Sequence, residues 1–289
     1  MRVWAYLLIL TLSACGAELE YQDKPVHAFA NIQMRGTGPV SYKRIVSLDY
    51  CADQYVLKLV PSAYILALSP DATSSFSYMR EAAADHAQIR PRAENVLALQ
   101  PDLIVRSYGG GPKAKAFFES AGVPIVQLGY ARQLDDIPAL TKQIAHELGQ
   151  EANGADLIAD IQARLAKLEG PSGQAAPASL YMTPGGMTSG PGSLIDDMMK
   201  RAGFANFETR PGWHTLPLER LTHTQPDHIT ASFFAAEGLA GNSWSSARHP
   251  VARAQLQNRP VTSLNGAWTA CGAWFLLDAV DALTQTGKP

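Results

Sequence analysis

Charge is scarce in this 289-residue chain: 17% of the residues are charged, and 24 Lys and Arg stand against 26 Asp and Glu. There is no basic run and no acidic tail, so the electrostatic footprint of a nucleic-acid partner is missing. No apolar stretch reaches the ~20 residues that a bilayer-spanning helix needs. Cysteine is rare, at three residues, which excludes a disulfide-dense scaffold. The seven histidines never form H-E-x-x-H, and the step from His223 to His228 does not suit one helical face, so zinc chemistry has no support. No G-x-S-x-G elbow occurs, no serine, histidine and acid arrangement can be argued from spacing, and no glycine loop ends in Gly-Lys-Ser/Thr. Catalysis and nucleotide binding therefore have no anchor in the sequence, and no cofactor is implied.

What is present is a hydrophobic content of 46%, enough for one large domain or two smaller lobes. The chain begins with Arg2, an apolar run from Ala5 to Leu12 and then small residues, the pattern of an export signal over residues 1–15. Leu12-Ser13-Ala14-Cys15 resembles a bacterial lipobox, with Cys15 as the lipidated residue; the alternative is ordinary cleavage nearby, for example after Ala17. Beyond Cys15 the remaining pair is Cys51 and Cys271, in a compartment that permits disulfides. Either they bridge, tying the C-terminal segment to the first lobe, or they are two small buried thiols.

Residues 16–42 are polar, punctuated by proline and glycine, and read as a tether. Strand-like runs then alternate with helical patterns. Strands are expected at 44–48, 64–68, 103–106 and 125–128, and helices at 53–60, 113–120 and 135–148, which together form a first lobe over residues 43–149. Ala155, Ile158, Ile161, Leu165 and Leu168 recur at steps of three and four, which predicts an amphipathic linking helix within 150–170. A second βα block follows over 177–289, with strands at 179–182, 229–233 and 261–264 and a helix at 194–202. The fold class is therefore α/β: two Rossmann-like βα lobes joined by one long helix. An internal echo supports two related lobes. Glu94 and Glu219 each stand six residues before a Gln-Pro-Asp, with a short helix ending at the proline and a strand after it.

The runs RIVSLDYCADQYVLKL (44–59), ENVLALQPDLIV (94–105), GVPIV (122–126), TSGPGSLIDDMMKRAG (188–203) and PLERLTHTQPDHI (217–229) resemble, in order, the periplasmic binding proteins of ABC importers for vitamin B12 and ferric siderophores. The resemblance covers about residues 44–284. It implies a monomer on the extracytoplasmic side, with a bulky metal chelate in the cleft between the lobes and little opening about the linking helix. It also implies docking of Glu94 and Glu219 into arginine-containing pockets of a two-fold permease dimer, where carboxylate and guanidinium pair bidentately. Membrane contact is expected only through a lipid anchor. Cobalamin, a ferric siderophore and haem all remain open as ligands, as does a role in sensing without transport.

Ligands of α/β lobes collect at the carboxyl ends of the strands. The loops there carry Tyr50, Phe76, Tyr78 and Tyr108 in the first lobe and Trp213, Trp244 and Trp268 in the second, flat faces with polar tips suited to a ringed ligand. Arg106 and Arg210 are candidates for anionic groups, and Met187, in the glycine-rich loop 183–193, for contact with the ligand. His214 is a possible metal-facing histidine, and Trp274, expected inside the C-terminal helix, is assigned to packing.

Overall fold

The computed structural model describes residues 41–168, 176–233 and 245–286. The export signal, Cys15, most of the tether and Trp244 lie outside them. The first lobe contains β1 (Ile45–Ser47), α1 (Tyr50–Leu59), β2 (Ile65–Ala67), α2 (Arg80–Ala83), α3 (Ala93–Ala98), β3 (Leu103–Arg106), α4 (Ala114–Ser120), β4 (Ile125–Gln127) and α5 (Ile137–Glu147). Next is α6 (Glu151–Leu165), the expected linking helix, which ends five residues short of the predicted limit. The second lobe comprises β5 (Ala178–Met182), β6 (Met187–Ser189), α7 (Leu194–Arg201), β7 (Ala205–Asn206), β8 (Trp213–Thr215), α8 (Leu218–His223), β9 (His228–Phe233), α9 (Pro250–Asn258), β10 (Val261–Asn265) and α10 (Leu276–Thr286).

The first sheet runs β2-β1-β3-β4 and the second β10-β9-β5-β7, with every pairing parallel. Counted along the chain, each sheet has the order second, first, third, fourth. Strands covered on both faces are mostly apolar, and β1, β3 and most of β5 are buried along their length.

The Gln-Pro-Asp echo has a physical basis in this arrangement. The Asp102 carboxylate accepts the backbone N–H groups of Lys43 and Arg44, at 2.9 Å each, and its own N–H donates to Arg44 O at 2.9 Å. In the second lobe Asp227 accepts from Ala178 N at 2.8 Å and donates to Ala178 O at 2.8 Å. Each aspartate thus ties the start of the third strand to the start of the first. Proline before it ends α3 or α8 and sends the chain into the sheet.

α5 and α6 form a tight antiparallel pair, turning at Gly149 with φ +65°. A Cβ on Gly154 would meet the Ala145 Cβ at 2.3 Å, so only glycine permits this approach. From α6, Leu157 and Ile161 enter one continuous buried cluster. It includes Ile45 and Val105 of the first lobe and Met198, Leu264, Leu276 and Val280 of the second. Smaller clusters fill the outer faces: Val46, Ile104 and Phe118 in the first lobe, and Leu180, Leu221 and Ile229 in the second. Arg164 near the end of α6 bonds Asp278 at 2.8 Å and Asp281 at 2.6 Å on α10.

Three features depart from the sequence expectations. The glycine-rich segment 183–193 contains β6, which pairs antiparallel with β8 as a separate ribbon. α2, α9 and the two-residue β7 are not foreseen in the sequence. Trp274 lies in the turn before α10 rather than within it, buried edge-on against Tyr55 at 5.2 Å.

Candidate functional site

The carboxyl ends of the first sheet gather the expected aromatic side chains. Tyr50 is the first residue of α1, just past β1, and its ring meets Phe76 at 4.9 Å and Tyr108 at 5.9 Å, both edge to face. Tyr108, in the loop after β3, is 49% exposed. Burial, and then the nearby Asp49 carboxylate, raises the phenol pKa of Tyr50; for Tyr108 burial leads, followed by Tyr50 and Asp49. Both hydroxyls therefore remain neutral donors at physiological pH. Tyr78 is drawn away from this group: it stacks on Phe275 at 4.6 Å and donates to Asp278 at 2.8 Å. Burial and this carboxylate push its phenol up to about 12.

Arg106, the last residue of β3, is 6% exposed, and its Nε is buried without a hydrogen-bond partner. Leaving a guanidinium N–H unpaired costs free energy, so this side chain is receptive to an anionic acceptor. Arg210 differs, because it is already engaged by Glu208 through Nε at 3.2 Å and Nη2 at 3.1 Å.

In the second lobe Trp213 lies on β8 and is 53% exposed, its ring edge-on to Tyr181 at 6.0 Å. The ribbon register pairs Met187 with Thr215 and Ser189 with Trp213, which places Met187 and Trp213 on one face. Trp268 sits in the single turn Gly266–Trp268 after β10, half-buried against the core. His214 Nε2 donates to Pro211 O at 2.6 Å, which leaves Nδ1 as the ring's acceptor nitrogen. Among the described residues no group of three or more His, Cys, Asp or Glu is arranged to hold a metal ion.

The segment after β10 touches both lobes. Thr269 Oγ1 accepts from Tyr181 Oη at 3.1 Å and lies 2.5 Å from Ser232 Oγ, fixing it to the second sheet. One residue on, Ala270 O accepts from the Tyr50 hydroxyl at 3.2 Å, and Cys271 forms a disulfide with Cys51 of α1. Trp268 and Tyr50 thus flank a covalently tied junction.

Glu94 and Glu219 are each the second residue of their helices, α3 and α8, and both are exposed. Tyr130 was missed by sequence reasoning: it lies just past β4 and is 74% exposed. The strand-end rule that points to the loops after the first three strands points equally to this one after the fourth. A cavity of about 400 Å³ lies elsewhere, between the end of α1 and α6, lined by Lys58, Pro61, Asn153, Asp156 and Asp160.

Comparison with known proteins is consistent with this geometry. The chain is similar in structure to the periplasmic heme-binding protein HutB of Vibrio cholerae, at 18% identity and a TM-score of 0.69 over 85% of this chain and 99% of that one. The vitamin B12-binding protein BtuF of Vibrio cholerae gives 20% identity and a TM-score of 0.62 over 85% and 96%. A possible iron-binding, periplasmic solute-binding protein from Staphylococcus epidermidis gives 18% and 0.66 over 86% and 99%. No curated protein sequence matches. Among the described residues no helix is long and apolar enough to cross a membrane. The sequence profile described as periplasmic binding protein matches residues 64–242, more than half of the chain, and on that match the chain belongs to the periplasmic binding protein family.

Proposed function

We propose that this chain is the extracytoplasmic solute-binding component of an ABC importer, and that it captures a bulky metal chelate, a corrinoid or a ferric siderophore, between its lobes. The observation that carries the reading is the placement of aromatic rings at the carboxyl ends of both parallel sheets, around a junction tied by Tyr50 to Ala270 and Cys51 to Cys271. Tyr50, Tyr108, Trp213 and Trp268 supply flat walls, Met187 an adaptable apolar contact, and Arg106 a guanidinium with its Nε unpaired for an anionic edge of the ligand. A cleft whose walls are already fixed loses little entropy on binding.

Glu94 and Glu219 are the permease contacts in this reading, one on each lobe at matching positions, suited to a two-fold partner. Trp244 and a lipid anchor at Cys15 complete the proposal on the ligand and membrane sides. A haem ligand is the second reading, favoured by the likeness to HutB. Axial ligation would then fall to His214 through Nδ1, its Nε2 being oriented by Pro211 O.

Tryptophan fluorescence of the signal-less protein, titrated with cyanocobalamin, ferric siderophores and haemin, tests the reading. Saturable quenching by a corrinoid or siderophore, weakened by Trp213→Ala with Trp268→Ala, supports it. Saturation by haemin alone selects the second reading, and flat titrations throughout reject both.

A further inference from the structure

Three consecutive backbone amides after β3 converge on a single carboxylate. Asp49 Oδ2 accepts from Ser107 N at 2.7 Å, Tyr108 N at 2.9 Å and Gly109 N at 2.8 Å. Its other oxygen, Oδ1, accepts from Ala52 N at 3.0 Å and so caps α1. Asp49 is only 3% exposed. Hydrogen bonds from N–H groups to a carboxylate are of the strong class, and here four of them converge on one side chain.

The loop is also pressed onto the sheet. A Cβ on Gly109 would lie 2.3 Å from Leu48 O, and Gly110 and Gly111 follow with φ of +76° and +84°. A loop with three consecutive glycines has wide freedom of its own, and the carboxylate removes it where Tyr108 is attached. Tyr108 and Tyr50 are the two rings that meet at 5.9 Å. Tyr50 is fixed through the helix that Asp49 caps, and Tyr108 through its own amide.

We propose that Asp49 is a positioning residue of the binding site: it sets the Tyr50–Tyr108 pair before ligand arrives, without touching ligand itself. This rests on the reading of those rings as a ligand wall. The carboxylate holds the loop in one arrangement, so the bound chelate does not have to order it.

Asp49→Asn puts an amide N–H₂ or a single weaker acceptor against three N–H donors. Asp49→Ser keeps a helix cap but is too short to reach the loop, and it serves if the asparagine variant does not fold. Hydrogen exchange, which needs no ligand, reads the loop directly. The expected result is faster exchange of the amides of Ser107, Tyr108 and Gly109, with β3 and the last turn of α1 unchanged. Unchanged loop exchange, or loosening spread evenly through the lobe, overturns the proposal.

Affinity for cyanocobalamin, ferric desferrioxamine or haemin, whichever saturates the parent protein, gives the second readout. Asp49→Asn and Tyr108→Ala are each expected to weaken binding roughly tenfold to a hundredfold, and the double variant no more than the worse single one. Additive losses, or no loss in Asp49→Asn despite a freed loop, overturn the positioning role. A parent protein that binds none of the three probes removes the chelate reading and this role with it, while exchange still reports whether the carboxylate holds the loop.

Discussion

Replacing both Cys51 and Cys271 by serine should lower the melting temperature by roughly 5–15 °C. The bridge joins residues 220 apart in sequence. Loop-closure entropy for a ring of that length amounts to about 5 kcal/mol, and measured bridges return about 2–5 kcal/mol. At ~2–4 °C per kcal/mol for a chain of this size, the expected shift follows. The Tyr50 hydrogen bond to Ala270 and the stack of Tyr78 on Phe275 hold the same junction without the bridge, so the variant should still fold. The first check is alkylation of the exported protein in denaturant without reductant. Two reactive thiols at Cys51 and Cys271 would show that no bridge forms. Calorimetry of the parent with and without reductant, and of the double variant, then measures the shift. A bridged parent that melts within 2 °C of its double-serine variant refutes the entropy reasoning.

Gly154→Ala should cost about 1–3 kcal/mol in urea unfolding, because the added methyl meets Ala145 at 2.3 Å where α5 and α6 touch. Asp53, fully buried, has its carboxyl pushed up to about 6 by burial, against the opposing hydrogen bonds from Ser47 and Ser69. Its folded value lies above the unfolded 3.8, so the native state binds the proton more tightly and stability falls as pH rises from about 4 to 6. Asp53→Asn should therefore gain on the parent by up to about 3 kcal/mol above pH 6 and lose that advantage below pH 4, read from urea midpoints across the range. Glu94→Ala with Glu219→Ala should leave chelate affinity intact and abolish uptake into cells carrying the cognate permease; surviving uptake rejects the docking assignment.

Much of the fold was legible because buried parallel strands advertise themselves. Leu103–Arg106 is a solid apolar run ended by a charge, and the strand falls where the run does. The periodicity of α6 likewise identified Ile161 as a buried position. The β6–β8 ribbon was not visible, since it joins segments more than twenty residues apart and neither shows apolar alternation: Trp213-His214-Thr215 reads as loop. α9 begins at Pro250, where a proline after a histidine reads as a break, yet proline is tolerated at the first helical position and the His249 side chain accepts from Val251 N. At the site, types of residue were readable and partners were not. Arg210 and Arg106 look alike in sequence, but one finds Glu208 two residues away and the other lies buried with its Nε unpaired. Asp49 reads as an ordinary helix cap, because three of its four donors come from residues about sixty positions away.

Because Leu157 and Ile161 of α6 share one buried cluster with Ile45 and Val105 on one side and Leu276 and Val280 on the other, neither lobe owns a complete hydrophobic interior. The two halves are therefore expected to melt in a single transition, which calorimetry checks. A fragment ended before α6 or begun after it would expose its side of that shared cluster and is not expected to fold on its own. Specificity in such a chain is free to change through the loops at the strand ends, one side chain at a time. Whole lobes cannot be exchanged between relatives unless the helix that fills them both is exchanged as well.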